Sequence, residues 1–118
     1  MSASKQKGTR AESAVVACLR ANGYPDAERR VLHGAADRGD ICNVPGTTIE
    51  VKDCKTMQLA GWVDEANVEA ANNGTRVGVV WHHRKGRGDP LDWYVTMDGR
   101  TFLALLGEEG GGSDESGS

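Results

Sequence analysis

Between Thr9 and Asn22 the apolar residues Ala11, Ala14, Val15, Cys18 and Leu19 recur at helical spacing, and Gly23 followed by Pro25 closes the segment. The spacing predicts a first helix over residues 9–22. Glu28–Leu32 has the make-up of a short strand. His33–Gly39 reads as a loop, and Asp40–Val44 and Thr47–Lys52 as two antiparallel strands joined by the turn pair Pro45-Gly46. A second helix is predicted from a Thr56 cap to Asn72. Its stripe is Leu59, Ala60, Val63, Ala66, Ala70 and Ala71, and Asn73-Gly74 stops it. Arg76–His82 is a mostly buried strand, Arg84–Pro90 a mobile Gly-rich basic loop, and Asp92–Thr96 a further strand. Asp98 caps a last short helix through Leu106. The order α-β-β-β-α-β-β-α predicts an α/β protein, a mixed sheet flanked by helices.

A chain of 118 residues is one domain. We expect a flexible N-terminus over residues 1–7, the domain over 8–106, and a disordered acidic Gly/Ser tail over 107–118. That tail has no apolar residue to offset the entropy of ordering it. No apolar run approaches the roughly 20 residues of a membrane helix. The polar start lacks the apolar region of a signal peptide. The expectation is a cytoplasmic protein (the host cytoplasm for a phage protein) with no membrane partner. Cys18, Cys42 and Cys54 are an odd number and show no C-x-x-C spacing, which points to reduced thiols. A zinc site on His82-His83 is disfavoured, because neighbours on a strand point to opposite faces.

Charge complicates a nucleic-acid reading, since the formal net charge is −3. Four of the 17 carboxylates, Glu108, Glu109, Asp114 and Glu115, lie in the tail. The remaining 13 face 14 Lys and Arg, so the body is about +1, weakly basic.

Candidate chemistry centres on Glu12, Asp40, Glu50 and Lys52. Alternation places Glu50 and Lys52 on one strand face and Ile49 and Val51 on the other, apolar one. The Pro45-Gly46 turn brings Asp40 across to Glu50. Two carboxylates so close can hold Mg²⁺, and an ammonium beside them can serve an attacking water and a charged transition state. These are the parts of a metal-dependent nuclease site. The same residues also read as surface ion pairs on a solvated strand face. Glu12 has two readings as well. It borders the apolar stripe of the first helix, and Thr9-Arg10-Ala11-Glu12 is also a capping box with Thr9 as the cap.

Taken together, Lys7-Gly8-Thr9-x-x-Glu12, Gly39-Asp40-Ile41 and Ile49-Glu50-Val51-Lys52 resemble the archaeal-type Holliday junction resolvases of the PD-(D/E)xK nuclease superfamily. The resemblance covers roughly residues 5–82. It implies a restriction-endonuclease-like core in a small phage or prokaryotic enzyme that cuts branched DNA as a homodimer. It further implies Mg²⁺, with Mn²⁺ as a substitute, held by Asp40, Glu50 and the Val51 carbonyl. Glu12 would act at the metal, and Lys52 would serve the water and the transition state. Gly39 stands where the family has proline, and Ser13 where it has an arginine. A related nuclease acting on duplex, flap or single-stranded DNA, and a non-catalytic α/β binding domain, are the alternatives.

Lys5, Lys7, Arg10, Arg29, Arg30 and Arg38 cluster near these motifs. As a group they suit DNA phosphates; singly, each reads as solubilising charge. Gln58, Trp62, Glu65 and Glu69 define a polar face of the second helix, on which Trp62 is expected to be exposed for dimerisation or base stacking. Trp81 and Trp93 are expected in the core.

Overall fold

A computed structural model describes residues 3–31 and 38–114. The elements are α1 (Ala3–Ala21), β1 (Glu28–Arg29), β2 (Ile41–Cys42), β3 (Thr47–Lys52), α2 (Leu59–Asn73), β4 (Val77–His82), β5 (Tyr94–Thr96) and α3 (Gly99–Asp114). The predicted order is the observed one, with a 3-10 turn at Pro90–Asp92 added before β5. The five strands form one open mixed sheet in the order β1-β2-β3-β4-β5. Among the described residues only β3 and β4 pair in parallel, and α2 is the crossover that parallel pairing requires.

The sheet has two unlike faces because β3 and β4 alternate in step. Ile49, Val51, Val77 and Val79 pack with Ala11, Val15, Val16 and Leu19 of α1 in the main core, and Trp93 closes it. On the other face Val80 meets Trp62 and Ala66 of α2. Thr48 is fully buried there. Its hydroxyl hydrogen-bonds that of Thr75 at 2.7 Å and accepts from Asn73 Nδ2 at 3.0 Å. Gly78 lets α2 lie flush on β4, since a Cβ at that position would stand 2.6 Å from the Ala66 carbonyl oxygen.

Several boundaries differ from the sequence expectation. α1 begins at Ala3, so Thr9 lies within the helix and caps nothing. Its first turns carry no apolar stripe; they continue a helix that the Ala11–Leu19 face already anchors. The edge strand β1 and its neighbour β2 shrink to two residues each, and both residues of β1 are exposed, with little to bury. Asp98 does cap α3, accepting the Thr101 N–H at 2.8 Å, and the helix passes Leu106 to reach Asp114. The acidic side chains of the tail, and most of the His33–Gly39 loop, lie outside the described residues. Among the described residues no helix is long and apolar enough to cross a membrane.

Trp62 overturns the assigned face of α2. It is buried at 6 % exposure, as is Glu69 at 1 %, whereas Ala60 and Ala71 face solvent. The helix is rotated so that the stripe read as polar, Trp62–Glu65–Glu69, borders the sheet. Burying one indole removes more apolar area from water than burying the two alanines, Ala60 and Ala71, that are left outside.

Candidate functional site

The β2–β3 register settles how Asp40 meets Glu50. Ile41 pairs with Ile49, and the Asp40 N–H donates to the Ile49 carbonyl at 2.9 Å, which sets Asp40 beside Glu50. Its Oδ2 accepts the Val51 N–H at 2.8 Å, and that N–H is the contact Val51 makes here. Gly39 shapes the approach with φ +96°, a conformation closed to proline, whose ring fixes φ near −65°. A Cβ there would also lie 2.8 Å from Thr48 Cγ2. Glycine here thus admits a backbone path into the aspartate that proline could not follow.

Glu12, Asp40, Glu50, Val51 and Lys52 line one cleft of about 540 Å³ at the carboxyl end of β3, together with Lys7. All four candidate catalytic residues are therefore brought together. Glu50 is 5 % exposed, because α2 covers the face that a surface ion-pair reading leaves in water. Its Oε2 lies 3.2 Å from Lys52 Nζ, which also reaches Glu65 Oε1 at 3.0 Å. Glu12 Oε1 accepts from Arg29 Nε at 2.9 Å. With Thr9 inside the helix and Glu12 turned to the cleft, the capping-box explanation of Glu12 falls.

Protonation follows from this crowding. Burial pushes Asp40 up to about 8, aided by the charges of Glu50 and Glu12 and opposed by the Val51 N–H bond. Burial also raises Glu50, as does Glu65, while a Glu69 hydrogen bond and Lys52 work the other way. Lys52 loses some of its proton affinity to burial. Its bonds to Glu65 and Glu50 more than restore it, so its pKa lies above the ordinary lysine value. It is a fixed cation throughout the physiological range.

Glu65 and Glu69 are the functional candidates that sequence reading missed. With Glu50 they form a group in which one carboxylate oxygen from each residue lies within 4.8 Å of the other two. Glu50 is thus a hub, with Asp40 on one side and the α2 carboxylates on the other. The signal was present: a tryptophan at helical spacing between Gln58 and Glu65 marks a buried face. An all-oxygen donor set suits a hard divalent cation. The buried Oε1 of Glu50 accepts no hydrogen bond from an amide, hydroxyl or ammonium among the described residues; its polar surroundings are carboxyl groups, which a divalent ion would neutralise.

The basic residues divide. Lys5, Arg29 and Arg30 line a second cleft that shares Glu12 and Asp40 with the first. Arg29 is engaged by Glu12, and Arg30 has a buried Nε without a hydrogen-bond partner among the described residues. Lys7 stands 3.8 Å from Asp53. Arg38 is exposed next to Gly39, and Arg10 is exposed and lines neither cleft. The thiols of Cys18, Cys42 and Cys54 are free. His82 is buried against Trp62 and hydrogen-bonds Thr96 Oγ1 at 2.8 Å, whereas His83 packs edge-on to Trp93, so the two imidazoles do not converge. Comparison with protein-family models, with curated proteins and with solved structures finds no match for this chain.

Proposed function

We propose that this protein is a divalent-metal-dependent DNA endonuclease with a restriction-endonuclease-like core of the PD-(D/E)xK type. Branched DNA, above all the four-way junction, is the proposed substrate, met in the cytoplasm. The convergence of Glu12 from α1, Asp40 from the entry to β2, and Glu50 and Lys52 from β3 in one cleft carries this reading. Mg²⁺, or Mn²⁺ in its place, would neutralise charge on the scissile phosphate and lower the pKa of the attacking water. Asp40 and Glu50 would hold it, with Glu12 and the Val51 carbonyl beside them. Lys52, protonated and braced by Glu50 and Glu65, orients the phosphate and offsets the charge that develops there. Its raised pKa makes it a poor proton acceptor, so its part is electrostatic. Lys5, Lys7, Arg30 and Arg38 hold phosphates beside the cleft. Paired cuts call for a homodimer, and Phe102, Leu103 and Leu106 offer an exposed apolar stripe along α3 for a second copy.

The test is direct. The protein is incubated with Mg²⁺ and equimolar labelled four-way junction, flap, linear duplex and single strand, beside a Glu50→Ala control. Paired symmetric nicks in the junction, absent from the control, are expected. Equal cutting of linear duplex would favour a related nuclease without junction selectivity. No cleavage of any substrate would leave a non-catalytic α/β binding domain.

A further inference from the structure

The carboxylate cleft continues past Lys7 into a neighbouring pocket of about 550 Å³, and the two share Lys7, Asp53, Cys54 and Lys55. Among the described residues four cations, Lys7, Lys55, Arg84 and Lys85, line that pocket against a single carboxylate, Asp53. Asp53 is already shared between Lys7 at 3.8 Å and His83 at 3.5 Å. Tyr94 stands in its wall at 52 % exposure, with the Arg84 guanidinium 5.5 Å from the ring centroid.

Both parts are held firmly. Tyr94 pairs with His82 across the β4–β5 ladder, and the two rings meet edge to face with centroids 6.1 Å apart. Arg84–Pro90, expected as a mobile loop, is tied down by two indoles. Trp93 Nε1 donates to the Arg87 carbonyl at 2.8 Å, and Trp81 Nε1 to the Pro90 carbonyl at 3.2 Å. Such a pocket is of the size that holds a small ligand, roughly 300–1,000 Å³. Its combination of several cations and a half-exposed aromatic ring, covered on one face by Arg84, suits a nucleotide: phosphates meet the cations and a base meets the ring. In duplex DNA both faces of each base are covered by its neighbours, so the ring can stack only on an unpaired one.

Building on the nuclease reading above, we propose that this pocket is a subsite for one unpaired nucleotide of the DNA strand that runs through the carboxylate cleft. Tyr94 stacks the base in the place Arg84 now takes over the ring, and Arg84, Lys85 and Lys55 hold the adjoining phosphates. The subsite gives the protein a preference for strands that leave a duplex unpaired, as they do at a flap or an overhang, and at a four-way junction only where a base pair at the crossover opens.

Fluorescence anisotropy in EDTA tests this, comparing duplexes that carry a short 5′ or 3′ overhang with a blunt duplex of the same length. The wild type is expected to bind one overhang polarity more tightly than the blunt end. Tyr94→Ala should cut that preference about tenfold, and Tyr94→Phe should restore it, since the ring does the stacking. Arg84→Ala should lower the salt slope of overhang binding by about one. A wild type without overhang preference, or a preference that survives Tyr94→Ala, overturns the proposal. Because EDTA removes divalent ions, binding and cleavage can fail separately. Tyr94-dependent overhang binding without Mg²⁺-dependent cleavage supports the subsite and sinks the nuclease reading. Cleavage without Tyr94 dependence does the reverse.

Discussion

The two faces of the central strand pair are built to opposite rules. Toward α1, Ile49, Val51, Val77 and Val79 are buried among aliphatic side chains. Toward α2, the intervening residues include Thr48, Glu50, Lys52 and His82, and three of these four are buried as deeply as the aliphatics. One face earns its burial through the hydrophobic effect. The other buries charge, which costs free energy unless each group is paired. Alternation lets one six-residue strand serve both ends, so the fold's stability and its candidate chemistry are one residue apart. The comparison predicts that changes on the α2 face cost activity and spare the fold, while changes on the α1 face do the opposite.

Lys52→Ala should have the largest effect. It is expected to lower the Mg²⁺-dependent cleavage rate by about 10³-fold, on the scale of losing a preorganised transition-state donor, while junction binding in a gel shift persists. If binding vanished with activity, the electrostatic role of Lys52 would be wrong. On the opposite face, Ile49→Ala should reduce unfolding free energy by ~2–4 kcal/mol in urea titration. Its folded fraction should keep wild-type specific activity. A cavity mutant that lost activity while folded would break the division between the faces. Glu50→Gln, which removes a buried charge and keeps the shape, should be neutral or stabilising in the same titration, within ~1–2 kcal/mol.

A pH series sharpens the contrast. Asp40 titrates at about 8 in the folded chain and near its ordinary value of 3.8 when unfolded. Between those values the folded state holds the extra proton, so this contribution to stability is full below pH 4 and is lost as pH rises through about 8. Unfolding titrations without divalent ions should show stability falling steadily over that window. Asp40→Asn should flatten the slope, and Mg²⁺ should offset it by taking the proton's place. A slope unchanged in Asp40→Asn would remove Asp40 as its source. The smallest effect is expected from Arg29→Ala. Freeing Glu12 from its 2.9 Å bond should lower the Mg²⁺ concentration for half-maximal cleavage about threefold, the scale of an exposed ion pair.

How much of this was legible depended on which force set each element. The bounds of β3 follow from alternation and the Pro45-Gly46 turn, and the structure reproduces them as Thr47–Lys52. From that strand came Glu50, Lys52 and, through the turn, Asp40. Glu65 and Glu69 were not legible in the same way. An alanine stripe and a tryptophan-bearing stripe competed for the buried side of α2, and only the sheet's own surface decides between them. The true start of α1 was hidden too. Residues 3–8 carry no apolar periodicity, yet they extend a helix whose later turns are anchored. Trp62 reads as a surface aromatic in the sequence and is buried in the structure. The exposed aromatic beside the site is Tyr94, placed there by strand pairing that no local pattern in the sequence reveals.

Gly78 gives the molecule a gauge. Any side chain there would strike the backbone of Ala66, which cannot rotate aside, and would come within 2.9 Å of Ala70 Cβ. The helix would have to lift as a body and carry Glu65 and Glu69 away from Glu50. The spacing of the acidic cluster is thus calibrated by a residue that has no functional group and sits on a different strand from Glu50. Tuning the grip of this cluster on a cation is therefore a question of helix height as much as of ligand chemistry, and position 78 is where that height is set.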